Sequence, residues 1–345
     1  MVVSPSGPSG RVTSGQKGPV RSAGPHRSAV GSSASAPSPS AVAPSPSRIA
    51  AAPSGSARAV GGRRGWRDVD ARLLAVVGRL TERDRRIRRL LDDHRVLTTP
   101  QVADVGFTGE RRARMRLAEL YALDILDRFR PQTWGSPTPF HWVLGPLGAA
   151  LVAAETGSDL SDLSWRRTLA HDLAASQRLA HLVGLNGFFC GLLRSARTRP
   201  GCDLEEWWSE RRCAREWGEV VRPDGYGIWA EHGVALPFLV EYDNGSEPLD
   251  RLAAKLPGYA HLADAAGHPN WVLFSFGSPR RERDARRVLL HHGVPVATAW
   301  RQPATAPDAA IWLPVDADTH QYGLGQDGLG RLGLAQLAHL PLGRA

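Results

Sequence analysis

The 345-residue chain has room for two domains, and 42% hydrophobic residues with 11 Trp can fill real cores. Its formal charge of +9 is unevenly spread: residues 1–65 hold eight Arg or Lys and no acid, which leaves 35 bases against 34 acids, a net of +1, in the rest. Cys190, Cys202 and Cys213 lack CxxC spacing and exclude a zinc ribbon or disulfide framework in favour of reduced thiols. No apolar run of roughly 18–20 residues suits a membrane span, and no signal-peptide core opens the chain, so a cytoplasmic protein is expected.

Residues 1–65, rich in Ser, Pro, Ala and Gly, have no hydrophobic periodicity and are expected to form a disordered basic tail. The tail reads either as an arm sampling DNA phosphates or as an idle extension. Order is expected from Trp66, with Val69, Leu73, Leu74, Val77 and Leu80 at helical spacing. Thr81 then caps a helix to about His94, Thr99-Pro100 opens a short one to Val105, and Thr108 caps a third from Gly109 to about Leu123. Met115, Leu117, Leu120 and Tyr121 are its candidate core. Leu123–Phe129 and Phe140–Leu144 read as two strands around a Pro/Gly/Ser loop, and Pro146 starts a further helix to about Glu155.

Helix, short helix, helix and a two-stranded wing is the order of a winged helix-turn-helix domain, placed at residues 66–158. Its third helix carries Arg111, Arg112, Arg114 and Arg116 where a recognition helix meets the major groove of double-stranded DNA. Arg112 and Arg116 lie at i, i+4 on one face, and Met115 is expected to turn inward.

A second domain, mixed α/β, is expected over residues 165–318, with a Gly-rich C-terminal tail at 319–345. It opens on a long amphipathic helix from Leu169 to about Arg197, along which His171, His181 and Asn186 read as surface or hydrogen-bonded side chains. Leu204 to Glu210 reads as the end of a helix or strand. After a hairpin come the strand Trp271–Phe276, an Arg-rich helix Pro279–His292 carrying Arg280, Arg281, Arg283, Arg286 and Arg287, the strand Val294–Trp300 and an edge strand Ala310–Val315.

The hairpin concentrates the chemistry. Tyr226–Ala230 and Ala235–Tyr242 flank a turn at His232-Gly233, and a two-residue turn makes paired numbers sum to 465. Asp224 then lies opposite Glu241, and Asp243 shares a face with Glu241. Three carboxylates at one hairpin end repel unless a cation sits among them, and hard oxygen ligands of this kind suit Mg²⁺ or Mn²⁺. Ser246-Glu247-Pro248 starts a helix that buries Leu249, Leu252, Ala253 and Leu256 and breaks near Pro257-Gly258. Lys255, one of only two lysines in the chain, lies off that apolar face and can swing toward the acids.

A Pro-Asp pair, an acid on the next strand and a lysine together resemble the PD-(D/E)xK nuclease pattern. The resemblance implies a restriction-endonuclease-like fold in which Asp224 and Glu241 hold a metal that activates water against a phosphodiester. Asp243 stands where the lysine normally would, which leaves Lys255 to supply the charge from the following helix; Asp172 is the only acid on the first long helix. More broadly, LLDDHRVLTTPQVADVGF with the arginine helix, and RPDGYGIW, FLVEYDNGSEPL and KLPGY further on, resemble the replication-relaxation family over about residues 81–300. That family occurs on actinobacterial plasmids and integrated elements. The resemblance implies a DNA-binding protein of plasmid or mobile-element replication, with replication or transfer proteins as partners. Two functions stay open: metal-dependent nicking by Asp224, Glu241, Asp243 and Lys255, or a non-catalytic DNA-binding scaffold or transcriptional regulator.

Overall fold

Thr81 and Thr98 fix where two helices begin. In the computed structural model, which describes residues 71–131, 138–266, 270–290, 293–302, 304–315 and 330–340, each threonine side chain accepts a hydrogen bond from the backbone N–H three residues on. Asp84 and Gln101 reach back to the two cap N–H groups, at 2.8 Å in both cases. These capping boxes satisfy donors that every helix start leaves orphaned. They open α1 (Glu82–His94) and α2 (Thr99–Gly106). The cap of α2 is therefore Thr98, not Thr99, and Pro100 sits in the first turn where no intrahelical donor is lost. The third helix, α3 (Glu110–Ala122), starts at Gly109 without a side-chain cap; the Thr108 hydroxyl instead accepts from Arg112 at 3.0 Å.

Three short strands, β1 (Leu97–Thr98), β2 (Leu126–Phe129) and β3 (His141–Leu144), pair antiparallel in the order β1-β3-β2. They are followed by α4 (Pro146–Thr156). The expected tail over residues 1–65, the start of order at Trp66 and Val69, residues 132–137 of the loop before β3, and residues 319–329 and 341–345 of the Gly-rich tail lie outside the described residues.

The single helix expected over Leu169–Arg197 is two, α5 (Leu169–Ala174) and α6 (Leu179–Thr198). Between them the Ser176 hydroxyl accepts from the Arg178 backbone N–H at 3.2 Å, the kind of local bond that competes with helix continuation. By length and composition α6 could cross a membrane, contrary to the expectation that no run qualifies, yet over half of it is buried inside the protein. Its apolar side chains, Leu185, Phe188, Phe189 and Leu192, belong to one hydrophobic core that runs from Ile87 and Leu91 of α1 to the main sheet. Polar pins cross the same junction: Asn186 donates to the carbonyls of His94 (3.2 Å) and Val96 (2.7 Å), and Gln101 to that of Val183 (2.7 Å).

The main sheet is mixed and six-stranded, in the order β4 (Cys202–Ser209), β5 (Gly225–Glu231), β6 (Val234–Tyr242), β7 (Trp271–Phe276), β8 (Val296–Trp300) and β9 (Leu313–Pro314). β6, β7 and β8 run parallel, while β4, β5 and β9 join antiparallel. Ser209 caps α7 (Glu210–Trp217) by accepting from Arg212 N. Along β6 the side chains alternate: Phe238 and Val240 face the core of α6 and α11 (Leu334–Ala338), and Leu239 faces α8 (Leu249–Ala253), α9 (Leu256–Ala266) and α10 (Pro279–Val288). The expected break at Pro257-Gly258 falls earlier, at Ala254-Lys255, and Pro257 is absorbed in the first turn of α9, a position that tolerates it. Arg281 and Arg286 of α10 bond to protein groups rather than to solvent.

Candidate functional site

The turn of the β5–β6 hairpin sets the geometry. His232 and Gly233 both take positive φ, 51° and 85°, as a two-residue type I′ turn requires. Glu231 pairs with Val234 and Gly225 with Val240, so the pairs sum to 465 as the sequence predicts. Asp224, just before β5, is thereby carried to the end of β6, where its Oδ2 accepts from Tyr242 N at 2.8 Å.

Glu241 is 1% exposed, and both of its oxygens are taken. Lys255 Nζ donates to Oε2 at 2.6 Å, and the Tyr259 hydroxyl donates to Oε1. Lys255 occupies the two-residue break between α8 and α9, which lets its stem turn toward the sheet; Tyr259 follows one turn later. Burial first, and then the negative charge of Asp224, push the Glu241 carboxyl up to about 8 against the pull of Lys255 and Tyr259. Burial would lower the Lys255 ammonium, but the Glu241 charge outweighs it and moves it up. A protonated Glu241 could not exert that pull, so the two directions compete. With Glu241 sealed from water and the Lys255 side chain 27% exposed, the rise of the carboxyl prevails.

His181 of α6 comes in from the opposite face of the sheet. Its Nε2 lies 3.3 Å from Asp224 Oδ1, and its ring meets that of Tyr242 edge-on. Burial lowers the imidazole, but Asp224 more than offsets this and raises it. The approach depends on Gly184: a Cβ there would fall 2.4 Å from the Tyr242 ring. Asp243 does not join the cluster's cation. Both its oxygens accept from Arg281, at 2.9 and 3.0 Å, and Arg301 donates to its carbonyl at 2.7 Å.

Register thus brings together Asp224, Glu241 and Lys255, and leaves Asp243 in a separate pair. A divalent ion needs carboxylate oxygens free to coordinate it. Glu241 and Asp243 have none uncommitted, one Asp224 oxygen is held by backbone, and among the described residues no group of three or more His, Cys, Asp or Glu is placed to hold a metal ion. As arranged, these residues do not fit Mg²⁺ or Mn²⁺.

The arginines of α3 divide. Arg111, Arg112 and Arg114 are exposed; Arg112 bonds Thr108, and Arg114 lies 3.8 Å from Glu110. Arg116 turns the other way: its guanidinium holds both oxygens of buried Asp84 (3.1 and 2.7 Å), Glu119 (2.5 Å) and the Arg79 carbonyl (3.0 Å). Met115, expected inside, is 60% exposed between the arginines, and Tyr121 is 41% exposed beneath Arg128. The helix is anchored through Ala113, Leu117 and Leu120.

Three residues of the charged cluster escape a reading of the sequence. Tyr259 had a signal, since it lies at i+4 from Lys255 on a helical stretch. His181 had only its position on an amphipathic helix, and Arg281 was one of five arginines in a row of similar ones. A family model described as Replication-relaxation matches residues 89–271, a little more than half the chain. No curated protein and no solved structure matches.

Proposed function

Because the chain belongs to the replication-relaxation family, we propose that it is a DNA-binding protein of plasmid or mobile-element replication, working beside other replication or transfer proteins in the cytoplasm. In this reading α1, α2, α3 and the three-stranded sheet form a winged helix-turn-helix that docks on duplex DNA, and the six-stranded half is a restriction-endonuclease-like fold used as a scaffold. The observation that carries it is the exposed face of α3, where Arg111, Arg112 and Arg114 surround an exposed Met115. Guanidinium groups meet phosphates and guanine edges, and an apolar side chain among them can meet a thymine methyl.

Arg111→Ala/Arg112→Ala is expected to weaken duplex binding, read by fluorescence anisotropy across a salt series. The log–log salt slope should become shallower by about 2, since each phosphate contact contributes about 0.9. An unchanged affinity and slope would remove α3 as the docking surface.

Cleavage is left out of the proposal on chemical grounds, because the carboxylates of Glu241 and Asp243 are committed to Lys255, Tyr259 and Arg281. Supercoiled plasmid incubated with the protein and Mg²⁺ or Mn²⁺ is expected to stay supercoiled. Nicking by the wild type that disappears in Asp224→Ala/Glu241→Ala would restore the metal-dependent nuclease reading.

A further inference from the structure

A cleft of about 640 Å³ opens between α1, the end of α2, α6 and β4, and none of the Glu241 cluster lines it. It falls in the size range of small-ligand sites, and its walls are of two kinds. Leu90 and Val105 make an apolar wall beside Trp207, whose ring is sandwiched between Phe189 (centroids 5.1 Å apart) and His94 (3.7 Å). Arg83, Arg86 and Arg89 of α1 supply positive charge at the rim, beside two acids, Glu82 and Asp93.

Two features of the cleft favour a ligand. His94 is 2% exposed, lines the cleft, and its Nε2 has no hydrogen-bond partner; the nearest acid, Asp93, is 3.7 Å away. A buried polar atom is normally satisfied by protein, water or ligand, and the His94 nitrogen has no protein partner. Burial holds this imidazole down to about 4, so near neutral pH it is uncharged and can bond either a donor or an acceptor. The arginines are also not fully used. Arg86 is exposed with no ion-pair partner among the described residues, and Arg89 has acids no nearer than 3.7 Å.

The cleft is also continuous with the proposed docking surface. Arg83 stacks over Phe107 (4.5 Å) and lines both this cleft and a neighbouring groove whose other side is Phe107, Arg112 and Met115. A strand leaving a duplex on α3 would follow that groove past Arg83. Charged tracks for the backbone combined with apolar or aromatic walls for the bases are how single strands are held.

We infer that this cleft takes an unpaired nucleotide of the DNA strand continuing from a duplex on α3, with its phosphate on Arg83 and Arg86 and its base edge on His94 Nε2. The inference rests on the DNA-docking reading above. It predicts a preference for junctions between duplex and single strand.

Anisotropy with the full chain tests it, using a blunt duplex and the same duplex extended by a short single-stranded tail of either polarity. One tailed form is expected to bind about tenfold tighter than the blunt one, the scale of one well-held base. Arg86→Glu should lower affinity for the tailed form about tenfold more than for the blunt one. His94→Phe, which keeps a ring against Trp207 and removes the nitrogen, should lose most of the same increment. Arg111→Ala/Arg112→Ala should weaken both forms alike. Equal wild-type affinity for tailed and blunt DNA, or an Arg86→Glu effect equal on both, overturns the cleft and leaves the α3 reading standing. Failure to bind either DNA overturns both.

Discussion

Arg116→Ala will destabilise the folded protein by about 3–5 kcal/mol in urea denaturation, because it strands a carboxylate inside. Asp84 is fully buried and spends one oxygen on the Thr81 cap and both on Arg116. Burial by itself would raise its pKa, but the donors from Arg116 and Thr81 outweigh burial and hold it below the usual carboxylate range. A depressed acid stabilises the fold above its unfolded value near 3.8, and that contribution is lost as pH falls through the folded value. Asp84→Ala should cost less, about 2 kcal/mol for the cap and the lost pair, because the Arg116 side chain is 24% exposed and keeps Glu119. The double variant should resemble Asp84→Ala, well short of the sum. If Arg116→Ala is as stable as wild type and loses only DNA binding, Arg116 belongs with the docking arginines after all.

The stability contributed by the protonated Glu241 is expected to be lost as pH rises from about 4.5 to about 8, and in Glu241→Gln most of that loss should vanish. The Glu241 carboxyl is pushed up to about 8 by burial and by Asp224. The folded protein therefore holds a proton that the unfolded chain has released, and stability declines as pH rises from the unfolded value through the folded one. The limiting slope for one such group is about 1.4 kcal/mol per pH unit. His181, also raised, acts with the same sign: its contribution is present below its unfolded value near 6.5 and lost above the folded one. Gln mimics the protonated acid in shape and keeps an acceptor for Lys255, so it isolates the titration from the packing. Thermal midpoints measured between pH 6 and 9 decide the matter. A Glu241→Gln variant that keeps the full wild-type slope would place the titrating group elsewhere.

The elements that local chemistry dictates were legible in the sequence. Thr81 with Asp84 announces a helix, and His232-Gly233 between alternating runs announces a hairpin with one register, from which the meeting of Asp224 and Glu241 follows. Elements that depend on distant partners were not. β1 is two residues long and exists because Trp142 and His141 pair with it. β4 reads Asp-Leu-Glu-Glu-Trp-Trp, whose paired acids and aromatics conceal the alternation, and its register shifts between Leu204 and Glu206. Helical spacing alone could not tell which arginine of α3 faces outward, because Asp84, the residue that claims Arg116, lies 32 positions earlier. Asp243 shows the same limit: its partner Arg281 arrives from a helix 38 positions on, where no local pattern reveals it.

Because α6 shares one hydrophobic core with α1 and with the sheet, and is pinned to the α1–α2 side through Gln101 and Asn186, the described residues of the two halves pack on one common helix. The exposed face of α3 and the arginine cleft are then carried on one packed body. If the proposed DNA docking holds, a body packed in this way leaves the bending and strand opening needed to reach both to the nucleic acid.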